Sequence, residues 1–144
     1  MNPTTLGLTA LTIVLWGLIP VVDKLALAQH VASPLVGIAI RAVAVAALAV
    51  PLALVYGDGA ATVRAMPASA IGLYVASGVV SLLLAQYAYY ALLQQAEVSK
   101  VFPFLFAAAP LVTIAIGVGA LGETLSAKQA LGALLVIGGG LLLL

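Results

Sequence analysis

The fold class predicted by this sequence is an all-α integral membrane protein with five transmembrane helices, and three observations carry it. The 144 residues are 65% hydrophobic and 6% charged, with a mean hydropathy of +1.32, whereas soluble domains carry about 25% charged residues. The charges cut the chain into uncharged runs at 1–22, 42–57, 65–96, 101–122 and 129–144, and a membrane helix needs about 20 mostly apolar residues. The longest connector, "GDGAATVRAMP" at 57–67, is too short to bury a core of its own. A single five-helix domain over residues 1–144 is therefore expected, with spans near 5–26, 35–56, 68–93, 100–121 and 126–144, the second accepting Arg41.

The first span ends in "WGLIPVVDKLAL" at 16–27. Pro20 has no N–H, so the carbonyl of Trp16 loses its helical partner, and in lipid that oxygen must find water, a side chain or a ligand. Trp16, Pro20 and Asp23 fall on one face with Lys24 at its flank, because neighbours in sequence point apart. Asp23 and Lys24 are thus expected to meet partners other than each other; their place near the helix end also fits a simple headgroup marker. The N-terminus lacks a basic region followed by a short apolar stretch and a small-residue cleavage site, so the first span is expected to remain as a helix.

The second span starts at "SP" and carries Ala39, Ala42, Ala46, Ala49 and Ala53 within an arc of about 80°, a stripe that lets another helix approach closely. Arg41 lies away from that stripe, and two readings of it stand: facing a wet cavity, or snorkelling to the surface. In the third span Tyr87, Tyr90 and Gln94 share one side, with Val80 and Leu83 continuing it. Gln94 favours a polar lining, while Tyr89 and Tyr90 also suit interface anchors.

The fourth span sets Pro103, Phe106, Pro110, Thr113 and Gly117 within about 80°, and Pro110 frees the carbonyl of Phe106. Before the fifth span, "ETLSAKQ" offers Thr124 or Ser126 as N-cap. The "GGG" at 138–140 within that span is read as close helix packing.

An odd number of spans puts the termini on opposite sides of the membrane. With the N-terminus cytoplasmic, Arg64 and Lys128 fall inside and Lys24 and Lys100 outside, a tie. Either five cations are too few to show a bias, or the chain inserts both ways, which would matter because inverted repeats are a common way to build a transporter around a midplane site.

Several function classes are excluded. There is no cysteine, and the only histidine, His30, sits in a connector and reads as a solvated loop residue. No metal site or cofactor is therefore expected. Asp58, Glu97 and Glu123 are scattered among connectors, no phosphate-cradling loop is present, and no enzyme chemistry is expected. A net charge of +1 gives no polybasic surface, so nucleic acid is not an expected partner. The lipid bilayer is.

Taken in order, "WGLIPVVDKLAL", "SPLVGIAIRAVAVAAL" and "QQAEVSKVFPFLFAAAPLVTIAIGVGALGETLSAKQALGALLVIGGG" resemble the drug/metabolite transporter superfamily in its EamA-type branch. The resemblance runs through most of the chain and places Trp16, Lys24, Arg41, Glu97, Pro103, Pro110 and Glu123 at motif positions. It implies a secondary-active transporter of small metabolites in a multi-pass prokaryotic inner membrane. The usual member has two such units in opposite orientation, so this single unit resembles the five-helix members. An antiparallel homodimer of ten helices with dual topology is implied.

On that reading helices 1, 3 and 4 would line a cavity with Trp16, Tyr87, Tyr90, Gln94, Phe106 and Thr113, and Lys24 or Arg41 would meet a substrate carboxylate. Helix 5 and the alanine stripe would join the subunits. Pro20, Pro103 and Pro110 would break helices for gating. Glu97 and Glu123 would be structural, Glu123 capping the fifth helix at its positive end. An uncharged aromatic lining suits an amphipathic or zwitterionic solute, with amino acid or metabolite export favoured. Two alternatives stand beside it: a proton-coupled multidrug exporter using Asp23, and a non-transporting membrane subunit that escorts a partner.

Overall fold

In the computed structural model, residues 2–29 and 33–143 are described, and every regular element among them is helical. His30 lies outside the described residues, as do Val31 and Ala32 of the same connector.

Helix α1, Pro3–Gln29, opens behind Asn2, whose Oδ1 accepts both the backbone N–H and the hydroxyl of Thr5 at 2.7 Å, an N-cap that satisfies an orphan donor. Helix α2, Pro34–Tyr56, begins with proline in its first turn, where no N–H is needed. The connector at 57–67 is not the plain loop expected: it holds a short helix α3, Gly59–Ala65. Helices α4, Ala68–Gly78, and α5, Gln86–Gln95, are joined by a π-helical stretch, Val79–Ala85, into one span Ala68–Gln95. Helix α6 is Val98–Ala120 and α7 is Ala127–Leu141.

Among the described residues four segments, Pro3–Gln29, Pro34–Tyr56, Ala68–Gln95 and Val98–Ala120, are long and apolar enough to cross a membrane. The fifth is apolar but shorter than the span expected at 126–144: the 15 residues of α7 reach about 22 Å against a hydrocarbon core of about 30 Å. It starts at Ala127, directly behind Ser126 as its N-cap, and ends at Leu141. Its hydroxyl accepts from Gln129 N, and Gln129 Oε1 accepts from Ser126 N at 2.9 Å, which closes a capping box. Glu123, expected to cap this helix, instead turns back. Its N–H donates to Gly117 O at 3.0 Å, and its carboxylate lies against Gly117, where a Cβ would stand 2.5 Å from Oε2.

The chain forms two compact units, Met1–Leu25 with Gln95–Leu144, and Ala26–Gln94. In the first, α6 packs on α7 through small residues: a Cβ added at Gly140 would stand 2.5 Å from Ala107 Cβ. In the second, α2 packs on α3 and on the π-helical stretch. Few side chains are buried, among them Ile38, Tyr90, Leu93, Val101 and Ala107. Lipid solvates apolar side chains as well as a protein interior does, so helices in a bilayer associate by close packing and polar contacts instead.

Candidate functional site

In the first unit, α1 and α6 flank a groove of about 640 Å³. Its α1 wall is built by spacing alone. Thr5, Thr9, Thr12 and Trp16 recur at four, three and four residues, within an arc of about 60° on a helix, and all four line the groove. The α6 wall presents Phe102, Pro103 and Phe106. Trp16 meets Phe106 edge to face with centroids 5.8 Å apart, and Phe106 lies 4.4 Å from Phe102. Such pairs gain beyond the area they bury.

The threonine hydroxyls are engaged along their own helix: Thr9 Oγ1 donates to Thr5 O and Thr12 Oγ1 to Leu8 O, both at 2.8 Å. Further along the same face Pro20 is fully buried and Asp23 is 7% exposed, which favours an inward carboxylate over a headgroup marker for Asp23. Lys24 donates from Nζ to Ala96 O at 2.9 Å, just beyond α5. A lysine on a last-turn carbonyl ends a helix favourably, so at least one of its donors serves the backbone.

The α6 face expected to act together divides. Pro103 and Phe106 line the groove with α1, Pro110 lines a crevice of about 270 Å³ against α7, and Gly117 receives Glu123. Thr113 is exposed, lines neither space, and bonds back to Ala109 O at 3.5 Å. A stripe about 80° wide reaches two neighbours when a helix packs between them.

In the second unit Arg41 is held by Tyr90. Its Nη1 donates to the Tyr90 hydroxyl at 2.8 Å, and its Cζ lies 5.8 Å from the ring centroid. Gly37, one turn before Arg41, makes this possible, since a Cβ there would stand 2.9 Å from the Tyr90 ring. The guanidinium therefore turns inward rather than snorkelling, and it borders a crevice of about 250 Å³ with Ile38, Ala42, Ala46, Leu82 and Gln86.

Tyr90 is buried and no interface anchor, whereas Tyr87 and Gln94 are exposed. Val80 and Leu83 are exposed as well. Across the π-helical stretch the bonds run to the fifth residue on, so the step of about 100° is not kept there, and Leu82 and Gln86 are the residues of this span that line the crevice. Ala42 and Ala46 of the alanine stripe border it too, so part of that stripe packs within the unit. At the start of α6 Glu97 stands at the N-cap position and pairs with Lys100 Nζ at 3.0 Å.

Thr5, Thr9, Thr12, Phe102 and Gln86 were not singled out from the sequence. The threonines carry a signal there, the same helical spacing that marks Trp16. Gln86 carries one too, standing four residues before Tyr90 on the same side of α5.

These features belong to a helical membrane unit with an open, uncharged aromatic groove. The chain matches the EamA-like transporter family over residues 4–144. No curated protein and no solved structure matches it. The chain belongs to the EamA-like transporter family, in the drug/metabolite transporter superfamily. That family comprises multi-pass membrane transporters of small molecules.

Proposed function

We propose that the chain is a secondary-active transporter of small amphipathic metabolites, amino acids among them, working by alternating access in a homodimer. The observation that carries this reading is the α1–α6 groove. Its volume of about 640 Å³ lies in the range of sites for small solutes, and rings and hydroxyls line it without a charge. Trp16, still 55% exposed, is the residue that would meet solute, with Phe106 behind it.

A groove open on one side needs a cover to occlude its solute, and a second copy in inverted orientation would supply one. The tied distribution of Lys and Arg supports that arrangement. Arg41 with Tyr90 would shape the crevice of the second unit, and the exposed Tyr87, Gln94 and Thr113 would face the second copy or water. Pro20, Pro103 and Pro110 would supply the weakened backbone at which helices flex.

Reconstitution into liposomes tests this. Gradient-driven flux of at least one amphipathic amine or amino acid is expected, reduced by Phe106→Ala. No flux of any solute in a broad panel would favour the escort reading instead. Reporter tags at both termini that show one fixed orientation in every molecule would exclude the antiparallel pair.

Coupling to protons is supported by one observation, the buried carboxylate of Asp23. In lipid such a group is costly and is kept for function. Asp23→Asn is expected to abolish the dependence of flux on a proton gradient; unchanged dependence would remove Asp23 from coupling.

A further inference from the structure

The groove between α1 and α6 offers acceptors and ring faces and almost no donors, and that asymmetry selects a ligand. Each threonine hydroxyl on its wall has its proton committed: Thr5 to Asn2 Oδ1, Thr9 to Thr5 O, Thr12 to Leu8 O. What each hydroxyl leaves for a ligand is oxygen lone pairs. Turning one outward to donate would cost its bond to the helix, and that bond is not readily replaced in an apolar surrounding. Pro20 withdraws the N–H that the carbonyl of Trp16 would have accepted, which adds an acceptor at the end of the stripe.

Among the described residues no lysine or arginine lines the groove, and its one side-chain N–H is the indole of Trp16. Trp16, Phe102 and Phe106 add π faces, whose negative quadrupole attracts a cation and repels an anion. Further along this face of α1 the only charged side chain is a carboxylate, Asp23, while Lys24 lies at its flank and bonds to Ala96.

A carboxylate brought here would lose its water and find one neutral N–H in exchange. An ammonium would find hydroxyl lone pairs and ring faces. We infer that the α1–α6 groove binds the ammonium end of its solute: it accepts amines carried on an apolar or aromatic body and rejects the matching carboxylates. This rests on the reading of the groove as the solute site and narrows its substrate class.

Trp16 is the chain's single tryptophan, so its emission reports the groove directly. The full chain in nanodiscs of uncharged-net phosphatidylcholine would be titrated with three probes of like body: 2-phenylethylamine, 2-phenylethanol and 3-phenylpropionate. The amine is expected to change Trp16 emission saturably and to bind about tenfold or more tighter than the carboxylate, as one or two charge-assisted or cation–π contacts would give. The alcohol should fall between them.

The double variant Thr9→Val and Thr12→Val keeps the shape and removes two of the three hydroxyl acceptors, the two nearest the Trp16 ring. It should lose most of the amine preference while keeping alcohol binding and the emission of the free protein. The double variant with serine at both positions keeps the acceptors and should retain the preference, which separates an acceptor role from mere packing. Equal binding of amine and carboxylate, or a preference that survives both valines, would overturn the inference and leave transport through the groove standing. Emission unmoved by all three probes would overturn the groove as a solute site altogether.

Discussion

The α1–α6 groove and the crevice beside α2 use an aromatic ring in opposite ways. In the groove, Trp16 touches Phe106 edge to face and keeps more than half of its surface open. In the crevice, Tyr90 is 4% exposed and its hydroxyl holds the Arg41 guanidinium. The first ring is available to a solute; the second satisfies a charge that lipid would otherwise make costly. The comparison teaches that exposure along a helix face does not follow from aromatic character: Trp16 keeps an open face, while Tyr90 is taken up by Arg41.

The packing around each ring predicts how each region fails. Gly140→Val carries the largest expected effect. A Cβ there already stands 2.5 Å from Ala107 Cβ, so α6 and α7 must part, at a cost of about 3 kcal/mol. The thermal midpoint in detergent should fall, and Trp16 emission should shift because Phe106 moves with α6. An unchanged midpoint would mean that the two helices do not meet at this point.

Next is Tyr90→Phe, which takes the acceptor from Arg41 and should cost about 2 kcal/mol, the range for a hydrogen bond to a charged group. Here Trp16 emission should stay constant while stability falls; a large emission change would show that the regions do not respond separately. Ser126→Ala opens the capping box of α7 and should cost about 1 kcal/mol, seen as faster amide exchange in residues 127–130. Smallest is Thr113→Val. An exposed residue lining neither groove nor crevice should change stability by less than about 0.5 kcal/mol, and flux should be unaffected. A strong loss of flux would return Thr113 to the solute path.

Much of the fold was legible because lipid imposes simple rules. Pro34, Pro67 and Ser126 mark helix starts, and the expected spans 5–26, 35–56, 68–93 and 100–121 end within three residues of the helices observed. Ser126 rather than Thr124 emerges as the cap because Gln129 stands three residues on to complete the box. That Trp16 and Phe106 each lie on one stripe of their own helix was legible too, by 3.6-residue periodicity; that the two rings meet was not. The division of the α6 face was not. Periodicity tells which side chains share a side, and says nothing of how many neighbours that side meets.

The sequence by itself determined that this protein lives in a bilayer, which long segments are helical, and which residues lie along each stripe, because hydropathy and helical period act within a single segment. Only the tertiary structure decided that Arg41 answers to Tyr90 and Lys24 to Ala96, that Glu123 folds onto Gly117 instead of capping α7, and that a π-helical stretch re-aims the third span. Those outcomes depend on what residues far apart in the chain place beside one another. A buried polar group takes its partner from the neighbouring helix, and no period within one helix encodes that neighbour.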